Sequence, residues 1–162
     1  MDTYDLLMDL LGRGDARYRL IDHAPEGRTG PASELRGHAL VQAAKCLVVR
    51  VALGRRTRRY VLAVVPGDRR LDLDGLCDLY GGTEASFAVR EVSERLAGCV
   101  SGSVTPFALH PDLELVVDPD LLVHDEIFFN AARLDRSVAM ATEDYVALAA
   151  PRLAKIAGTA SR

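Results

Sequence analysis

The sequence carries only two lysines, Lys45 and Lys155, against a background of arginines, and one of them is placed where chemistry is possible. Lys45 stands at the mouth of the apolar run Cys46-Leu47-Val48-Val49. Period-two geometry puts it on the same strand face as Leu47, Val49 and Val51. An ammonium aimed at the end of a core or into a cleft is costly unless an anion or a hydrogen-bond acceptor meets it. The same residue also fits a strand-end lysine that reaches back to water, and spacing alone leaves both readings open. The second feature is Gly102-Ser103-Val104-Thr105-Pro106. Glycine lets a backbone N–H come close to a ligand, and proline stiffens the far end. An ordinary connecting loop has the same composition.

Other chemistry finds little support. His23, His38, His110 and His124 show neither the spacing of a helical metal site nor an HExxH motif. His124-Asp125-Glu126 reads as a solvated turn. Ser101 and Ser103 flank Gly102, but no GxSxG elbow is present. No phosphate-binding GxxxxGK[ST] and no strand-linked GxGxxG occurs. Cys46, Cys77 and Cys99 form no CxxC pair and read as reduced small residues of the core or near-surface. Arg55, Arg56, Arg58 and Arg59, followed by Arg69-Arg70, suit phosphate contacts or a solvated hairpin tip equally well.

These residues need elements to position them. Leu6, Leu7, Leu10 and Leu11 recur at helical spacing up to Gly12 and Gly14. Tyr18 to Asp22 reads as a short strand. The glycine- and proline-rich stretch 26–37 reads as a loop with a helical turn near Ser33 to Arg36, followed by a short helix around Leu40 to Ala44. Cys46–Ala52 and Arg59–Val65 read as a hairpin. Helices are expected from Asp72 to Tyr80, and through Val89, Val92 and Leu96 to Gly98. Phe107 to Leu109 suggests the start of a strand. Further strands are expected at Glu114–Val117, Glu126–Ala131 and Ser137–Ala141, with a helical turn after Asp118-Pro119. Thr142-Glu143-Asp144 opens a final helix with an apolar face at Val146, Ala149, Leu153 and Ile156. The mixed order predicts an α/β or α+β domain with a mixed, strongly curved sheet.

The 162 residues suit one domain, 1–162. Apolar residues make up 49% and charged residues 27%, as in ordinary globular chains. No apolar run has the ~20 residues of a membrane span, and the acidic start is unlike a secretory signal, so the expected location is cytoplasmic, without a membrane partner. A formal net charge of −3 argues against tight, non-specific binding of DNA or RNA, but not against a brief encounter with a nucleic-acid end.

The ordered set of His23, Gly37, Ala44-Lys45-Cys46-Leu47-Val48-Val49, Gly98, Gly102 to Phe107, Asp125 to Ala131 and Ser137-Val138 resembles the YbaK / prolyl-tRNA synthetase editing-domain family. The resemblance runs from about residue 17 to residue 157. It implies a mixed-sheet, partly open barrel surrounded by helices, and metal-free, cofactor-free hydrolysis of mischarged aminoacyl-tRNA at its 3′-terminal adenosine. It implies that Lys45 and Gly102 are catalytic, and that Ser103, Val104, Thr105, Pro106, Phe128, Phe129 and Asn130 bind substrate. Whichever phenylalanine faces inward would line the pocket, and Asn130 would hydrogen-bond a Ser or Thr hydroxyl. Transient contact with an aminoacyl-tRNA synthetase is also implied. The segment Asp125 to Ala131 and Leu134 to Val138 are most similar to members that clear Ser- or Thr-charged tRNA. Thr105 stands where those members favour proline, and Ala132 where glycine is usual. Two other functions stay open: a non-catalytic module that holds a tRNA end or small ligand, and a specialised deacylase for tRNA charged with a non-protein amino acid.

Overall fold

A computed structural model describes residues 1–160. The chain runs α1 (Thr3–Arg13), β1 (Tyr18–Asp22), α2 (Thr29–Arg36), a 3-10 turn (Leu40–Gln42), β2 (Ala44–Ala52), β3 (Arg58–Pro66), β4 (Arg69–Leu71), α3 (Leu73–Leu79), β5 (Glu84–Phe87), α4 (Arg90–Ala97), β6 (Leu113–Val117), a second 3-10 turn (Pro119–Val123), β7 (Glu126–Asn130), β8 (Arg136–Ala141), α5 (Thr142–Ala149), β9 (Arg152–Leu153) and β10 (Ala157–Ala160). The architecture is mixed α/β, as expected.

The largest sheet has the order β5-β2-β3-β6-β9, with antiparallel pairing up to β3 and parallel pairing beyond it. A second sheet, β1-β8-β7, is antiparallel, and β4 pairs with β10. Both faces of the large sheet are covered, which is why β2 and β3 read as nearly unbroken apolar runs. One face packs Val48, Leu62, Val64 and Val117 against Ile127, Phe129, Val138 and Met140 of the second sheet, with Leu7 and Leu11 of α1. The other packs Val49, Val51, Val61 and Val65 against Leu76 of α3 and Ile156.

Three expectations need correction. The loop 26–37 holds a full helix from Thr29, and its Pro31 sits in the first turn, where a missing N–H costs nothing. Phe107 to Leu109 is not a strand; Phe107 drops into the first core beside Phe129 and Tyr145. The last helix stops at Ala149. Ala150 takes a left-handed conformation at φ 45 and Pro151 cannot continue the helix, so Leu153 and Ile156 belong to extended chain. Ile156 is held there by Asp118, whose buried carboxylate accepts the N–H groups of Ile156 and Ala157 at 2.9 and 2.7 Å.

Candidate active site at the free edge of β2

Strand β2 is paired on both sides only in its second half. The pairing with β5 covers Val49 to Ala52, and the N–H of Ala88 takes the carbonyl of Val48. The first half, residues 44–47, has β3 on one side and an open edge on the other among the described residues. A cleft of about 300 Å³ opens along that edge. Its walls include Ala44, Lys45, Cys46 and Leu47 of β2, Gly27 and Arg28, Arg36 of α2, Gly102 and Val104, and Phe129 and Asn130 of β7. The volume is at the small end for ligand sites and matches a small acyl group with part of a sugar.

Lys45 is half-buried. It pairs with Val65 across the strands and so lies on the second-core side of the sheet, as period two predicts. Its ammonium donates to the carbonyl of Arg69 at 2.7 Å. Its pKa falls below the ordinary lysine value, mainly because burial disfavours the charge, with Asp68 opposing and Arg70 adding to the fall.

The segment 101–106 is clamped from several directions. Gly102 has φ 88, and a Cβ there would stand 2.7 Å from the Cα of Gly27. Only glycine satisfies both the left-handed backbone and the backbone-to-backbone contact. Glu94 accepts the backbone N–H and the hydroxyl of Ser101 at 2.7 and 2.9 Å. The Ser103 hydroxyl donates to the carbonyl of Val100 at 2.7 Å. The Tyr145 hydroxyl donates to the carbonyl of Pro106 at 2.6 Å. Asn130 Nδ2 donates to the carbonyls of Gly102 and Glu26, both at 2.9 Å, stitching the two glycine loops together. A loop held this way presents its backbone in one geometry, which an oxyanion-stabilising site requires.

Of the residues singled out from the sequence, Lys45, Gly102, Val104, Phe129 and Asn130 share the cleft. Ser103, Thr105, Pro106 and Phe128 are not among the cleft-lining residues. Ser103, Thr105 and Pro106 are buried anchors of the loop. Phe128 stacks on the His38 ring with centroids 3.8 Å apart, so Phe129 is the inward-facing one. The expectation that Asn130 reads a substrate hydroxyl meets a geometric obstacle. Its two N–H bonds are used by Glu26 and Gly102, and its Oδ1 accepts from Ser137 Oγ at 2.9 Å and Arg36 Nη1 at 3.2 Å. Sequence reading missed Gly27 and Arg36. Neither carries a local signature, since each acquires its place only when distant segments meet. Among the described residues no group of three His, Cys, Asp or Glu side chains is arranged to hold a metal, and no helix is long and apolar enough to cross a membrane.

The chain is similar to known proteins in both sequence and fold. A family model described as an aminoacyl-tRNA editing domain matches residues 27–148. The multifunctional Ser/Thr-tRNA deacylase ProXp-y of Escherichia coli (strain K12) is 42% identical over 159 residues, covering 98% of this chain and 95% of that protein. Among solved structures, a hypothetical protein superposes with a TM-score of 0.84 at 23% identity, covering 94% of this chain and 99% of the other. A putative trans-editing enzyme for prolyl tRNA synthetase gives 0.79 at 21% identity, covering 98% and 99%. At those identities the two superpositions speak to fold alone.

Proposed function

The chain belongs to the aminoacyl-tRNA editing domain family, and from that premise we propose that it is a trans-acting deacylase that hydrolyses the ester of mischarged tRNA, with Ser- and Thr-charged tRNA as its substrates. The observation that carries the mechanistic reading is that Lys45, with its half-buried side chain, and a braced glycine loop line one small cleft.

An aminoacyl ester is already an activated acyl group, so no strong protein nucleophile is required. Water attacks the acyl carbon, the carbonyl oxygen takes up negative charge, and the ribose oxygen leaves with a proton. The backbone N–H at Gly102 stabilises the developing oxyanion; one such donor is worth roughly a hundred- to thousand-fold in rate. The vicinal ribose hydroxyl of the terminal adenosine relays the proton. Lys45 anchors the tRNA end through phosphate or ribose oxygens, and fixing the ester against water supplies the remaining acceleration. Phe129 and Val104 form the apolar wall around the acyl group. Asn130 is the brace that keeps the Gly102 peptide aimed. The reaction needs no metal, the protein works in the cytoplasm as a single domain, and transient contact with a synthetase delivers substrate before it dissociates.

The test is deacylation by the purified chain across Ser-, Thr- and Ala-charged tRNA. Hydrolysis of the Ser and Thr esters, unchanged by chelator, supports this reading. Tight binding of charged tRNA without hydrolysis would replace it with the binding-module reading.

A further inference from the structure

Arg36, in the last turn of α2, is the unassigned cation of the cleft. Its partners are all neutral. Nε donates to His38 Nε2 at 2.9 Å. His38 Nδ1 lies 2.8 Å from the carbonyl of Ala39, which can only accept, so Nδ1 carries the proton and Nε2 offers its lone pair to Arg36. Burial, the largest cause, holds the His38 pKa near 4, which keeps the ring neutral in this role. Nη1 donates to Asn130 Oδ1 and Ser137 Oγ, both at 3.2 Å. That uses three of the five guanidinium N–H bonds.

The remaining two are on Nη2, for which no protein acceptor occurs among the described residues, and no carboxylate there forms an ion pair with Arg36. The other arginine lining this cleft, Arg28, has such a pair, with Glu26 at 3.0 Å. Burial pulls Arg36 down to about 10, which still leaves it charged at neutral pH. Even a partly buried guanidinium without a counter-ion is costly, and its planar fork suits two oxygens of an anion. His38, Asn130 and Ser137 hold Nε and Nη1, so the plane of the fork is set before any ligand arrives.

We propose that Arg36 is a substrate-contact residue whose Nη2 donates to an anionic oxygen at the charged end of the tRNA. This rests on the deacylase reading above. That end offers two such oxygens, the phosphodiester of the terminal nucleotide and the acyl oxygen as it gains charge. The α-ammonium of the amino acid is excluded by its sign.

Single-turnover deacylation of Ser-tRNA and of 3′-O-seryl-adenosine, which lacks the phosphodiester, separates the two sources. Arg36→Gln is expected to lose about tenfold or more, as for one charge-assisted donor, with Arg36→Lys in between because it keeps the charge but not the fork. A loss on Ser-tRNA that vanishes on the nucleoside assigns the phosphodiester; an equal loss on both assigns the acyl oxygen. Parental rates and half-saturation for both variants on both substrates, with the parent active, would overturn the inference alone. A parent inactive on both substrates would remove the deacylase reading and this inference with it. Should the variants fail to fold, the unsubstituted protein decides: the Arg36 side-chain nitrogen resonances should shift on adding the non-hydrolysable 3′-serylamide of adenosine monophosphate, and no shift contradicts the contact.

Discussion

Two groups of cations in this chain differ in a way that composition hides. The hairpin tip between β2 and β3 concentrates Arg55, Arg56, Arg58 and Arg59, all exposed, with one long contact from Arg59 to Glu114 at 3.9 Å. At the opposite end of β2, roughly 23 Å away for seven residues of strand, Lys45 and Arg36 stand half-buried in one cleft. The tip has the charge density, and water solvates it. In the cleft the fold strips part of the water from Lys45 and Arg36 and meets them with a backbone carbonyl and with neutral side chains respectively. Electrostatic influence on a reacting ester grows as water is excluded, which is why the proposed mechanism draws on the sparse group. The tip is equipped at most for long-range attraction of phosphates, which is screened within about 8–10 Å at physiological salt.

The sharpest way to break this contrast is Gly102→Ala. The added Cβ would meet the backbone of Gly27 at a left-handed φ, so the loop must move. Loss of one aligned oxyanion donor predicts a fall of about a hundredfold or more in the single-turnover rate; a rate within a few-fold of the parent would show that this peptide does not face the reacting oxygen. Asn130→Ala comes next. It removes the brace from both Gly102 and Arg36, and a loss on the order of tenfold or more is expected, of similar size for Ser and Thr esters. A selective loss on esters whose side chain carries a hydroxyl would restore Asn130 to direct recognition.

Replacing Arg55, Arg56 and Arg58 together by Ser should leave the saturated rate unchanged. Only the half-saturation concentration should rise, by about tenfold or less, with a shallower dependence on salt. A fall in the saturated rate would contradict the division of labour between the two ends of β2. The smallest effect concerns acid stability. His38 is neutral in the fold with a pKa near 4, whereas the unfolded ring titrates near 6.5. Between those values the unfolded chain binds a proton that the fold does not. The stability His38 contributes is therefore complete above about pH 6.5 and is lost as pH falls toward 4. Thermal melting at pH 7 and pH 5 should show a smaller drop for His38→Gln than for the parent, and equal drops would mean the ring is not held neutral.

Much of the scaffold was legible because local rules and the fold agree. β2 and β3 follow from β-branched runs, α3 from its Asp72 cap, α4 from its left-handed Gly98, and the turn after Asp118 from Pro119. The short strands β4, β5, β9 and β10 were not, since their pairing partners lie far off in sequence and their own composition is unremarkable. Ala132 illustrates the middle ground. Resemblance marked the position as one for glycine, and the backbone does sit at φ 61, a conformation that costs an L-residue about 1–2 kcal/mol. For the site, Lys45 stood out by rarity and position, and Gly102 by its Gly-to-Pro bracket. Arg36 did not, because one arginine among many gains meaning only from what surrounds it: a neutral histidine behind, a saturated asparagine beside it, and a cleft in front. Asn130 was found by resemblance, yet its hydrogen bonds point to bracing, which no linear pattern encodes.

In the proposed mechanism the Lys45 ammonium holds the charged tRNA end against the Gly102 loop. The most direct measurement is single-turnover hydrolysis of Ser-tRNA by the purified parent and by Lys45→Ala, with circular dichroism to show that both are folded. The parent should hydrolyse the ester and the folded variant should lose about a hundredfold or more, as expected when positioning is removed. A folded Lys45→Ala protein that deacylates at the parental rate would contradict it.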